Sequence, residues 1–203
     1  MPRPSVEAER RAQILRATCE VLAEVGLRAL RVSDVAERAG TSNGTVHYYF
    51  ANKREVVHAA FDDNFTRSIE RRRPIFDSGE DPKARLRAFV RSYLPDSPET
   101  VQAWRVWMEL WSEALREPEL QDLNERVYGE WRRIVAAVIR DGQAQGMLRA
   151  GDAVELANQL IGMIDGLAIQ VLVGSRSMTV ATTGSSLPAR RAGATPKKTP
   201  TAA

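Results

Sequence analysis

Apolar positions along this chain recur at the three-and-four spacing of helices, and no segment alternates as a strand would. Ile14, Ala17, Thr18, Val21, Leu22 and Val25 share one face of a first helix that closes at Gly26. Val35, Ala36 and Ala39 make a small apolar face on a second helix over 33–39, which Gly40 ends. Ser42 is a good N-cap for a third, short helix, on which Val46 and Phe50 point inward. Asn52 with Glu55 reads as a capping-box variant opening a long helix over 53–73, with Val56, Val57, Ala60, Phe61, Phe65 and Ile69 as its buried stripe. Arg71, Arg72 and Arg73 precede Pro74 and read as cations at that helix's C-terminus, where the dipole favours them. A loop over 77–82 leads to helices over 82–93, 98–116, 119–145 and 152–173. The expected fold is all-α: a three-helix helix-turn-helix unit followed by a larger helical domain.

After Gly174 the pattern fails. Residues 175–203 are rich in Ala, Thr, Ser, Pro and basic side chains, and a disordered basic tail is expected there. That tail changes the meaning of the charge. The chain has a formal net charge of +3, but Arg176, Arg190, Arg191, Lys197 and Lys198 stand after Gly174 with no acid, so the rest is slightly acidic. Any nucleic-acid binding by the head must rest on a few placed groups, Lys53, Arg31 and Arg28 among them.

The chain has 203 residues, 43% of them hydrophobic, enough for a sizeable core. Its longest apolar run, over 160–173, is short for a bilayer span and contains Asp165, so a soluble, cytoplasmic protein is expected. The single Cys19 reads as a packed residue. Two histidines, no ligand cluster, no phosphate-binding glycine loop and no nucleophile–base motif argue against an enzyme, and no metal or cofactor is expected.

The chemistry concentrates at 31–50. Asn43 and Gly44 keep the tip of the third helix small and leave amides open toward an anion, while Asn43, Thr45, His47, Tyr48 and Tyr49 face outward. A helical hairpin without a DNA role leaves outward Tyr48 and Tyr49 beside a Gly-containing tip unexplained. His47 taken alone also suits a solvated or structural histidine, and His58 an ordinary surface or packing residue.

Through DVAERAG, TSNGTVHYYF and NK, about the first 60 residues resemble the DNA-binding domain of the TetR family of bacterial transcriptional repressors. The resemblance implies that Ser42, Asn43, Gly44, Thr45, His47, Tyr48, Tyr49 and Lys53 face double-stranded operator DNA, with Ser33 near a phosphate. Arg31 stands where relatives commonly have a threonine N-cap, exchanging an acceptor for a cation able to reach phosphate.

In the second half, Trp104, Trp107, Met108, Trp111 and Leu115 fall within one arc of a helix, with Glu109 and Glu113 toward its flank. Tyr128 and Trp131 on the next long helix can complete an aromatic enclosure. Such a stripe fits packed core and ligand lining equally. ELWSEALREPEL and YGEWR resemble the regulatory half of the family's choline- and betaine-responsive branch, which implies a small-molecule effector. An aromatic cage with a carboxylate suits an organic cation, and the same wall suits an uncharged apolar compound. Asp165 is either a polar group of that pocket or a partner for an arginine across an interface. Gly162 and Gly166 permit close helix approach, and the resemblance implies a homodimer through the last two long helices.

The expected division is a DNA-binding domain at 1–54, a ligand-binding and dimerisation domain at 55–174, and the tail at 175–203. The expected function is a ligand-responsive DNA-binding repressor on a pseudo-palindromic operator. The alternative is a constitutive DNA-binding or architectural protein without a ligand.

Overall fold

A computed structural model of the chain describes residues 6–178, and beyond its first four residues the expected basic tail lies outside them. Eight α-helices follow one another among the described residues: α1 Val6–Ala29, α2 Val32–Arg38, α3 Asn43–Tyr49, α4 Lys53–Phe76, α5 Pro82–Tyr93, α6 Pro98–Ala114, α7 Pro118–Ala144 and α8 Ala153–Leu172. Most starts are fixed by side-chain caps: Ser42, Asn52, Asp81, Ser97 and Asp152 each accept from a backbone N–H in the first turn. At α4 the box is offset, since the Asn52 side chain accepts from the Glu55 N–H while the Glu55 carboxylate accepts from the Ala51 N–H.

The head is α1–α3 with the start of α4. Ile14, Leu22, Leu30, Val35, Val46 and Phe50 are buried where these helices meet, each such side chain contributing about 1.5–3 kcal/mol relative to exposure. The Arg11 guanidinium covers the Phe50 ring at 5.2 Å. The remaining helices form the body: α4 packs on α5, α6 and α7, α7 pairs with α8, and α6 lies against α1. The two halves share one continuous core running from Ile14 through Phe61 and Trp131 to Ala168.

Three expectations change. The long helix does not stop at Pro74 but runs to Phe76, because the Asp77 N–H still reaches the Arg73 carbonyl at 2.9 Å and the Phe76 ring packs on Phe89 and Trp131. The helix expected over 98–116 ends at Ala114, so Leu115, expected on the tryptophan face, is its C-cap and 79% exposed. Val25, expected on the buried stripe of α1, is 45% exposed on the rim of a shallow groove beside Arg38.

The arginine run also divides. Arg73 is exposed and Arg71 pairs with Glu99 at 3.0 Å, but Arg72 turns inward and is 4% exposed. At 100° per residue only one of three consecutive side chains on α4 could face the body, and here it is the middle one.

Candidate functional sites

On α3 the Ser42 hydroxyl accepts from the Thr45 N–H at 3.1 Å and lies 3.0 Å from the Thr45 hydroxyl. Val46 and Phe50 are buried and anchor the helix, and Tyr49, expected to face outward, packs partly against the core, which leaves Asn43, Gly44, His47 and Tyr48 as the outer surface. Asn43, Gly44 and His47 are exposed, Thr45 is half-buried, and Tyr48 is 75% exposed with its ring edge-on to half-buried Tyr49 at 5.1 Å. Ser33 and Arg31 are exposed at the start of α2; the Ser33 hydroxyl donates to the Asp34 carboxylate, and Arg31 is an N-cap whose side chain makes no cap bond. These residues form one polar and aromatic surface. Lys53 opens α4 four residues after Tyr49 and is half-buried, with its ammonium donating to the Leu27 carbonyl at 2.8 Å. An ammonium has three donors, so this bond leaves others for a phosphate. Of the other cations, Arg38 pairs with Glu20 and Glu24.

In the body the aromatic residues divide into two tiers. Trp131 is 2% exposed and surrounded by Phe65, Phe76, Phe89 and Tyr93, with ring centres 5.3–6.3 Å away. It is the centre of the core. Trp104 is also buried, edge-on to Tyr93 at 5.3 Å and to Trp111 at 5.8 Å, and its indole N–H donates to the Tyr93 carbonyl. Trp107 stacks on Trp111 at 6.5 Å. Trp111 and Tyr128, 6.3 Å apart, are half-buried and make the outer tier; Met108 is half-buried as well. The Trp111 indole N–H donates to the Asn124 side chain at 3.1 Å. Trp111 also floors an open hollow of about 620 Å³ whose other walls include Leu115, Gln121, Asp122, Asn124 and Glu125. Glu113, expected on the flank of the tryptophan face, is half-buried on the opposite side of α6, at 180° from Trp104, and its backbone carbonyl accepts from the Arg116 and Glu117 N–H groups.

Behind the outer tier sits Asp165 on α8, 7% exposed. Its Oδ2 accepts a short hydrogen bond from the Tyr128 hydroxyl, whereas its buried Oδ1 receives no hydrogen bond among the described residues. Burial pushes the Asp165 carboxyl up to about 6, against the stabilising effect of the Tyr128 and Tyr93 hydroxyls. Burial first, and the carboxylate second, push both tyrosines up. A buried carboxylate backed by two tyrosine hydroxyls and adjoining aromatic rings has the chemistry that suits a cation or a hydrogen-bond donor.

Sequence reasoning did not single out Tyr93 or Arg72. The Arg72 guanidinium donates to the carbonyl and hydroxyl of Ser68 and to those of Ser92, and lies 5.0 Å from the Tyr93 ring centre and 5.7 Å from that of Trp131. Burial lowers its pKa to about 10, still ionised at neutral pH. A small cavity beside it is lined by Ser68, Tyr93, Thr100, Trp104 and Trp107. Tyr93 was legible only as the next apolar position after Phe89; no spacing shows which member of an arginine run turns inward.

The family described as "Bacterial regulatory proteins, tetR family" matches residues 14–60, and the one described as "BetI-type transcriptional repressor, C-terminal" matches residues 82–184. The HTH-type transcriptional regulator BetI of Stenotrophomonas maltophilia is 33% identical over 173 residues, covering 80% of this chain and 87% of that one. The BetI of Pseudomonas aeruginosa is 30% identical over 171 residues, covering 82% and 83%. Among solved structures, a transcriptional regulator from Saccharomonospora viridis in complex with choline superposes with a TM-score of 0.80 at 35% identity, covering 87% of this chain and 92% of that one. A TetR-family regulator from Rhodococcus sp. does so with a TM-score of 0.75 at 30% identity, covering 87% and 93%. No helix among the described residues is long and apolar enough to cross a membrane. The helix-turn-helix head and the helical body thus carry the same assignment as the relatives: the chain belongs to the TetR family of DNA-binding transcriptional regulators, with a BetI-type C-terminal domain.

Proposed function

We propose that this protein is a homodimeric repressor whose two α3 helices enter successive major grooves of a pseudo-palindromic operator, and which a small organic cation releases. In this reading Ser42, Asn43, Gly44, Thr45, His47, Tyr48 and Tyr49 face the groove, and Arg31, Ser33 and Lys53 the phosphates. A cytoplasmic location follows, in this reading, from operator DNA as the partner.

The observation that carries the effector reading is Asp165, a buried carboxylate backed by the Tyr128 and Tyr93 hydroxyls, beside the ring pair Trp111 and Tyr128. Aromatic faces attract a desolvated cation by about 2 kcal/mol each, and the carboxylate supplies the opposite charge. The choline held by the Saccharomonospora viridis relative belongs to the same chemical class.

The dimer reading rests on α8. A Cβ built on Gly162 or Gly166 meets no atom within 4 Å, and Met163 between them is 50% exposed. A stripe of glycines serves close helix approach only if a helix lies over it, and among the described residues none does. A second copy supplies it.

The test is a fluorescence titration of the full chain with choline and a panel of other quaternary ammonium and apolar compounds, paired with binding to an operator fragment selected by the protein from random DNA. A cation that changes tryptophan emission and weakens operator binding supports the reading. If no compound changes both, the protein is a constitutive DNA binder and the aromatic stripe is core alone.

A further inference from the structure

The N–H and C=O of one residue, Leu27, are held by two different parts of the molecule. Glu109 on α6 accepts from the Leu27 N–H at 2.8 Å, and Lys53 at the start of α4 donates to the Leu27 carbonyl at 2.8 Å. Leu27 is available to both because α1 breaks at Gly26, whose φ of 76° and ψ of 166° rotate the following peptide out of the helical ladder. An amide at the start of a fresh turn has no partner within its own helix. Glu109 caps it from another domain. The fit is close: a Cβ on Gly26 would lie 3.2 Å from the Glu109 Oε1, and glycine alone takes that φ without strain.

The position of Glu109 on its helix gives the contact its meaning. Trp107 and Trp111 flank it at two residues on either side, so at 100° per residue Glu109 projects from the opposite face of α6. One face of this helix carries the aromatic cage, and the other holds the kink of α1. α6 is continuous from Pro98 to Ala114, so a displacement at the tryptophans is carried to Glu109 by the same helix. From there it passes through Leu27 to the Lys53 ammonium, which lies with Leu27, Arg54 and Glu117 in the groove between head and body. Hydrogen-bond geometry tolerates only a few tenths of an ångström, so a shift of Leu27 moves or releases the ammonium.

We propose that Glu109 is the positioning residue through which the state of the tryptophan cage and the binding of DNA inform each other, acting on Lys53 by way of Leu27. This rests on the reading that α6 lines the effector site and that Lys53 faces phosphate. The competing route runs along α4 itself, which joins head to body without Glu109.

The test needs no effector. All four tryptophans lie on α6 and α7 and none in the head, so emission of the full-length protein reports the body alone. The selected operator fragment is titrated into the wild type, Glu109→Ala and Glu109→Gln, with DNA binding read separately by anisotropy of labelled DNA. Because coupling between sites is reciprocal, operator binding changes wild-type emission. Glu109→Ala still binds the fragment but its emission response falls at least about fivefold, whereas Glu109→Gln, which keeps an acceptor oxygen, retains most of it. An unchanged response in Glu109→Ala, or none in the wild type, overturns the proposal. Should Glu109→Ala fail to fold, hydrogen exchange of the wild type decides: operator must alter exchange of the segment containing Leu27, and no alteration overturns it. Failure of choline to change emission would sink the effector reading separately, without touching this result.

Discussion

The hydroxyl of Tyr128 on α7 donates to the carboxylate of Asp165 on α8, joining the two helices beside the Trp111 ring. The bond serves the ionised carboxylate, yet burial outweighs it and raises the Asp165 pKa from 3.8 to about 6. A folded-state value above the unfolded one means that this group favours the fold below about pH 4, and that this contribution is lost as pH rises through about 6. A bound cation reverses the preference. Choline affinity is therefore expected to fall by up to about tenfold per pH unit below 6, because binding requires the carboxylate. In Asp165→Asn the affinity is lower and the profile flat. Fluorescence titrations between pH 5 and 8 check this, and a flat wild-type profile would contradict it.

Arg72 holds α4 to α5 with an ion that has neutral acceptors and two aromatic faces around it. Arg72→Met keeps much of the volume but strands the polar groups of Ser68 and Ser92, and a loss of about 2–4 kcal/mol is expected. Arg72→Lys recovers little of it, since one ammonium cannot span both serines as the fork does. Urea unfolding measures both variants.

On the DNA face, Tyr48→Ala and Lys53→Ala are expected to weaken binding to all sequences, while Asn43→Ala and Thr45→Ala mainly relax base preference, each good base contact being worth about 1–3 kcal/mol. Salt titrations separate the two groups, with Lys53→Ala reducing the salt slope by about one. If all four variants bind the selected operator as the wild type does, α3 is not the reading helix.

Met163, half-exposed between Gly162 and Gly166, gives the test of association. Met163→Glu places a charge on an apolar surface that a second α8 would cover, and sedimentation should show a monomer where the wild type is a dimer. Operator affinity then falls by about 10²-fold or more, because the second half-site is no longer tethered. A dimer that survives this substitution lies on another face.

The order and nature of the elements were legible in sequence because each depends on neighbours a few positions away: the Ser42 and Asn52 caps, the Gly26 and Gly40 breaks, and the apolar stripes of α1 and α4. Local chemistry also marked α3 as a short helix with a polar and aromatic outer surface. It could not separate core from pocket among Trp104, Trp107, Trp111 and Trp131, because all stand at the same helical spacing. Burial is decided by what packs opposite. Phe65, Phe76, Phe89 and Tyr93 enclose Trp131, whereas Trp111 faces the hollow beside Asn124. The same holds for the inward turn of Arg72, the pairing of Asp165 with Tyr128, and the meeting of Glu109 with Leu27 across 82 positions of chain. The sequence by itself determined a helical DNA reader, since that information is carried by contacts within a turn or two. Only the tertiary structure decided which charges are buried and which helices hold one another, because those energies depend on groups that the chain brings together from far apart.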